Sequence, residues 1–301
     1  MRPLAGIGLK IAATFSFSLM AAIARWLGDA YPLGQIVFFR ASFALLPIGG
    51  LMFLSRTNMA DLATERPFAH VLRSIAGVGA MFSYFAALGY LPLADVTAIG
   101  FASPLFVVAL AAVVLGEQVH VYRWSAVAVG LAGVLIMVSP HLLQSQAGTP
   151  IAGLVYALAA AIFTAFAMVA IRRMSATESA IAIALYFQLT CAGVSLATLP
   201  FAWVTPNAHD LMLLVLVGIM GGFGQLFMTN GFRFAQASLL ANFDYAAMVW
   251  AILFGWLFFG ELPAFAVYLG AAIVIASGIF IAWRERHLGI ERAGERVARP
   301  S

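Results

Sequence analysis

Charge is scarce in this chain: Asp, Glu, Lys and Arg make up 9% of its 301 residues, against roughly a quarter in a typical soluble domain. With 63% of residues hydrophobic, a soluble fold of this size would expose a large apolar remainder and aggregate. The surrounding solvent is therefore lipid. Cysteine is nearly absent, and the single Cys191 lies in an apolar run, which leaves no disulfide and no cysteine metal site. The five histidines, His70, His120, His141, His209 and His287, stand near segment ends and form neither HxxxH nor HExxH. A GxxxxGK phosphate cradle is missing, which argues against a nucleotide-driven pump. No nucleophile and base or metal cluster suggests an intramembrane enzyme, and no basic face interleaved with aromatics suggests a nucleic-acid surface. No metal and no cofactor are expected.

What is present is a succession of about ten apolar segments, each near the ~20 residues needed to cross a bilayer. They fall near 4–27, 32–55, 68–89, 93–116, 121–139, 150–171, 178–201, 210–232, 236–259 and 264–283. Short links with turn residues join them, such as Leu91-Pro92, Ser139-Pro140, Thr205-Pro206-Asn207 and Leu262-Pro263. The first segment follows Arg2 as a signal peptide would. It is longer than the usual apolar region of one and Lys10 interrupts it, so it is read as a true helix. The last stretch, 284–301, alternates Arg and Glu and is expected to be a disordered polar tail.

The segments repeat. Gly89 to Glu117, shifted by 144 positions without a gap, falls on Arg233 to Glu261, and both copies close on Gly-Glu (Gly116-Glu117 and Gly260-Glu261). A period of that length in so apolar a chain predicts two halves of five spans, 4–139 and 150–283. Arginines set the expected orientation. With the N terminus in the cytoplasm, the inner links carry Arg56, Arg66, Arg123, Arg172, Arg173 and Arg233, and the outer links carry Arg25 alone. Both termini are therefore expected inside. Five is odd, so the second half enters from the opposite face and the repeats are inverted. Inverted halves can exchange conformations and open a shared site to each side in turn, which is the layout of a secondary carrier. A receptor or an intramembrane enzyme is the remote alternative.

Ionisable residues at membrane depth are the sharpest site candidates, because an unpaired charge there is costly and usually pairs or lines a wet cavity. Arg40 stands about eight residues in from one end of the second span and Asp244 about eight from the other end of the ninth, each ~12 Å deep. They are expected to approach one another across the two halves, with Asp244 a candidate for proton coupling. Lys10 and Arg73 are nearer the surface and are read as snorkelling anchors, and Asp95 as wet. The amides Gln188, Gln225 and Asn242 would go unsatisfied against lipid and are expected to line the cavity. Met81, Tyr84, Phe101, Phe163, Tyr186 and Tyr245 lie at mid-helix depth and could bound a planar ligand. The small-residue faces Gly218-Gly221-Gly222 and Ala76-Ala80-Ser83-Ala87 are read as helix packing.

The two-times-five layout, Phe38-Phe39-Arg40 inside the second span, the paired Gly-Glu endings and the small-residue fifth and tenth spans resemble the EamA-type transporters of the drug/metabolite transporter superfamily. The resemblance covers roughly residues 4–283. Within that family the opening RPLAGIGLKIAATFSFSLMAAIARW, the run Gly34 to Arg40 and the run Tyr122 to Ala126 are most similar to bacterial riboflavin importers. It implies an inner-membrane carrier of a small metabolite, with riboflavin uptake as the first substrate and export of amino acids, drugs or other metabolites as the alternative. The implied partners are the substrate and the bilayer, and monomer or homodimer stays open. The halves differ where Pro104 is matched by Met248 and Arg40 by Phe187 or Gln188.

Overall fold

A computed structural model describes residues 3–54, 62–64, 66–114, 121–143, 149–174, 177–234, 240 and 243–298. Among them the regular structure is helical: α1 (Pro3–Gly28), α2 (Leu33–Leu54), α3 (Pro67–Leu88), α4 (Leu93–Gly100), α5 (Ser103–Val114), α6 (Val121–Leu143), α7 (Thr149–Met174), α8 (Ala180–Leu196), α9 (Leu199–Ala202), α10 (Ala208–Phe234), α11 (Ala246–Phe259) and α12 (Phe265–Ala298). Helix is the expected answer to lipid, because it satisfies every backbone group within one segment. Local chemistry sets the ends. Proline opens α3, where its missing N–H costs nothing. The Ser179 hydroxyl caps α8 by accepting from the Ala182 N–H at 3.1 Å. Gly260 stops α11 in the left-handed conformation, φ 65°, which glycine adopts without strain.

Among the described residues, seven helical stretches are long and apolar enough to cross a bilayer, and three shorter apolar helices, Trp124–Pro140, Ala246–Phe259 and Phe265–Ile281, accompany them. The sequence expectation was ten full spans. The span expected at 93–116 is broken: α4 ends at Gly100, Phe101 and Ala102 form a turn, and α5 begins at Ser103. Pro104 accounts for it, since its ring cannot continue a helix through the preceding turn. The stretch expected at 236–259 turns at Asp244 and Tyr245 before α11 starts. That second turn has no proline, and Asp244 is held there by Lys10. At the C terminus the helix continues to Ala298, where a disordered tail was expected. The last span supplies the nucleus, and Arg, Glu, Ala and Leu extend a helix readily once it exists.

In the packing, α1 lies on α10 and α11, α2 on α10 and α8, α3 on α7 and α8, α4 and α5 on α7, α4 on α11, and α6 on α12. One apolar core joins them, rich in alanine: Ala21, Ala22, Ala41, Ala87, Ala98 and Ala251 are almost wholly buried. Lipid tails are as apolar as side chains, so contact between helices depends on close approach, which small residues permit. The seam of α6 and α12 takes this furthest. A Cβ on Gly133 would lie 2.9 Å from the Gly270 carbonyl oxygen, and one on Gly270 would strike the Gly133 carbonyl.

We expect Gly133→Val and Gly270→Val each to destabilise the protein by about 1–3 kcal/mol through overpacking at this seam. Thermal unfolding in detergent checks it, and unchanged midpoints for both variants would contradict so close an approach.

Candidate functional site

Three groups of polar contacts hold the helices together, one at each end and one between them. At the end where α1 finishes, the Arg25 guanidinium forms a two-pronged pair with the Glu261 carboxylate and lies 4.4 Å from the Phe259 ring centre. Beside it the Tyr31 hydroxyl donates to Asp210 at 2.7 Å. That bond to Asp210 holds the Tyr31 pKa above its ordinary value, so the bond is present at neutral pH and is lost only as pH rises through the raised value. The Gln35 amide bridges both ways to Val204, donating to its carbonyl at 2.8 Å and accepting from its N–H at 3.1 Å. This reciprocal pair ties α2 to the link before α10.

At the opposite end Glu178 is buried against α3. His70 Nε2 lies 3.1 Å from one carboxylate oxygen and the Thr64 hydroxyl donates to the other at 3.0 Å. Tyr186 packs its ring 4.6 Å from the His70 ring and donates its hydroxyl to the Leu62 carbonyl at 3.1 Å. Lys10, almost fully buried, pairs with the half-exposed Asp244. The histidines were read as scattered. His70 gains its importance from Glu178, more than 100 positions away, which no local pattern announces.

Between the ends, α2, α3 and α8 bring arginines together. Arg40 is 7% exposed and its Nη1 donates to Gln188 Oε1 at 2.9 Å. Arg73 lies over the neighbouring Phe187 ring, 3.9 Å from its centre. The two side chains reach neighbouring residues of α8, Gln188 and Phe187. Arg40 Nε and Arg73 Nε and Nη1 are buried with no hydrogen-bond partner. Among the described residues neither guanidinium has a carboxylate partner. Cys191, one turn further along α8, sets its sulfur 3.5 Å from that of Met81.

The structure thus divides the expected site. Arg40 and Gln188 come together, and Met81 meets Cys191 one turn along α8. Phe101 and Tyr245 meet edge to face with ring centres 5.3 Å apart, at the turns before α5 and α11. Tyr84 packs against the core beside Phe85. Tyr186 belongs to the His70–Glu178 end. Phe163 is 37% exposed and rests against Gly79 at the α3–α7 seam, and Gln225 is half-buried on α10. Asn242 lies outside the described residues, as does Glu117. The expected Arg40–Asp244 pair is corrected: Arg40 takes Gln188 and Asp244 takes Lys10. Depth along a helix had ranked these charges, but the azimuth of each helix decides which of them face one another. Lys10 and Arg73, read as anchors, turn inward, and Asp95 is 4% exposed rather than wet. One signal for Arg73 was available: Gly77, one turn on, has the space that the guanidinium fills.

Among the described residues no three His, Cys, Asp or Glu side chains are grouped to hold a metal. A cavity of about 340 Å3 lies between α6 and α12, against Ser125, Val129, Ser277 and Phe280. Its exposed apolar walls make it a groove on the lipid side, away from the arginines. A smaller one, about 190 Å3, adjoins Arg25, Asp29 and Glu261.

A helical multi-pass membrane protein with buried polar clusters between its spans is the architecture of a transporter. The chain belongs to the EamA-like transporter family, which matches it twice, over residues 4–139 and 151–283. It is 31% identical over 278 residues to a pseudopaline exporter of Pseudomonas aeruginosa, covering 90% of this chain and 94% of that one. It is 29% identical over 269 residues to an S-adenosylmethionine uptake transporter of Rickettsia prowazekii, covering 89% of each chain. It is 30% identical over 284 residues to a riboflavin transporter of Rhizobium johnstonii, covering 93% of this chain and 91% of that one. The protein is a transporter of the drug/metabolite transporter superfamily and not an enzyme.

Replacing Glu178 by Ala leaves His70 and Thr64 without their acceptor and is expected to cost about 1–3 kcal/mol. A double-mutant cycle with His70→Ala, read by thermal unfolding, should show strong non-additivity, and additive losses would contradict the contact.

Proposed function

We propose that this chain is a secondary carrier of the bacterial inner membrane, with both termini in the cytoplasm, that moves a small organic metabolite by alternating access between two inverted five-span halves. The observation that carries the reading is the meeting of Phe101 and Tyr245. They stand 144 positions apart, the period of the sequence repeat, and touch at corresponding breaks of corresponding spans. Equivalent positions touch in this way where an axis relating two halves passes between them. Helix packing supports the same exchange. The contacts α1–α10, α2–α10 and α1–α11 have the counterparts α7–α3, α8–α3 and α7–α5, while α2–α8 and α6–α12 exchange with themselves. Broken spans at a repeat interface are where carriers of this kind place their substrates.

The two end clusters act as the gates of such a cycle. Arg25–Glu261 and Tyr31–Asp210 close one face, and His70–Glu178 with Tyr186 closes the other. Opening a face requires its bridges to part while those of the other face hold, which keeps the pathway from being open throughout. The inner-face arginines support the proposed orientation.

Riboflavin uptake is the first substrate to test, supported by the relative named riboflavin transporter and by the aromatic residues near the repeat axis. A second reading is a charged metabolite, taken up or exported. Buried guanidinium nitrogens of Arg40 and Arg73 without a hydrogen-bond partner favour it, and relatives named for S-adenosylmethionine uptake and pseudopaline export are as similar in sequence.

Crosslinking cysteines placed at positions 25 and 261 in a Cys191→Ser background should stop solute exchange in proteoliposomes and raise the labelling of a cysteine at position 70 from the opposite side. Labelling that ignores the crosslink would rule out alternating access. In a riboflavin-auxotrophic bacterium lacking its own importer, the chain should restore growth on micromolar vitamin if riboflavin is the cargo. Failure with the protein inserted in the membrane transfers the assignment to the charged metabolite.

A further inference from the structure

Arginine buried in a membrane protein ordinarily shows its reason nearby, as a carboxylate, a ring of carbonyls or a path to water. Arg40 is buried and Arg73 half-buried, and neither has a carboxylate among the described residues. One hydrogen bond to Gln188 and one aromatic face, Phe187, serve the pair, while three guanidinium nitrogens stay buried and unpartnered. The backbone is nevertheless shaped to keep them there. A Cβ on Gly77 would lie 2.5 Å from Arg73 Nη1, and one on Gly221 would lie 3.2 Å from Arg40 Nε. Glycines on two different helices thus make room for the two side chains.

We propose that Arg40 and Arg73 form an oxyanion subsite of the transport pathway and that the transported metabolite carries a carboxylate or a phosphate that binds between them. Two guanidiniums with free N–H groups match the two or three oxygens of such a group, which a lysine or an amide would not. Gln188 orients Arg40 and Phe187 orients Arg73, both from α8, so the forks are held before the anion arrives. An anion between them would give the buried nitrogens of both guanidiniums an acceptor. The position suits a carrier, because α2 and α8 are corresponding helices of the two halves and a ligand held at their crossing is reached from either face. The proposal rests on the carrier reading for the word transport, but binding by itself can be measured without it.

The test uses the purified full-length protein in lipid-free detergent and two matched ligand pairs: riboflavin with riboflavin 5′-phosphate, and S-adenosylmethionine with its decarboxylated form. Citrate and inorganic phosphate serve as minimal oxyanions. Affinity is read by thermal shift and calorimetry. We expect at least one anionic member to bind about tenfold or more tightly than its partner, and Arg40→Gln and Arg73→Gln each to abolish that preference, with Arg73→Lys intermediate. A preference within the S-adenosylmethionine pair assigns a carboxylate, and one within the riboflavin pair a phosphate. Equal binding within both pairs, a preference that survives both Gln variants, or a response to added phosphatidylglycerol alone overturns the proposal.

A second readout separates a binding role from a structural one. Removing an unpartnered buried charge relieves a cost, so the anion-free Arg73→Gln protein should unfold at the same or a higher temperature than wild type. A clear fall would make Arg73 a structural residue and overturn the subsite. The two readings fail separately. Anion binding that depends on the arginines without exchange in proteoliposomes removes the carrier and leaves the subsite. Riboflavin exchange at the wild-type rate in both Gln variants removes the subsite and leaves the carrier.

Discussion

Hydrocarbon supplies no hydrogen-bond partner, so a polar group at membrane depth is satisfied only by another part of the chain, by water or by a ligand. Helices meet that demand for the backbone. For side chains the demand becomes a set of long-range pairings, Arg25 with Glu261, Tyr31 with Asp210, Gln35 with Val204, His70 with Glu178 and Lys10 with Asp244. Each joins parts of the chain far apart in sequence.

Between those ends the constraint is met by shape as much as by charge. Apolar burial drives soluble helices together, but helices in lipid gain little from it, so the contacts run through alanine and glycine. The same small residues that let α6 meet α12 backbone to backbone also leave the spaces beside Gly77 and Gly221. A small residue in this fold thus serves either to bring two helices into contact or to hold them apart around a larger side chain. The arginines occupy the second kind of space.

Much of the architecture was legible along the chain. Long apolar runs mean spans because lipid thickness is a length, and length is written in residue count. The 144-residue period, the proline at 104 and the glycine at 260 are local features with local consequences, and Pro104 and Gly260 act where their chemistry says they should. Depth was also readable, so Arg40 stood out as a buried charge. Local pattern was weaker at termination, where α12 continues through a polar stretch because a helix already formed is easily extended.

Which residues face one another was a different kind of question. A rotation of a helix about its axis changes no local property of the sequence, yet it turns Lys10 and Arg73 from lipid toward the interior. It gives Asp244 to Lys10 and Gln188 to Arg40. His70 and Glu178, Phe101 and Tyr245, and the two arginines acquire meaning only when helices far apart in sequence are in contact. The sequence by itself determined the solvent and the helices, because these follow from composition and spacing. Tertiary structure alone decided the partners, because in a bundle of helices partnership depends on azimuth and packing, and neither is encoded by position along the chain.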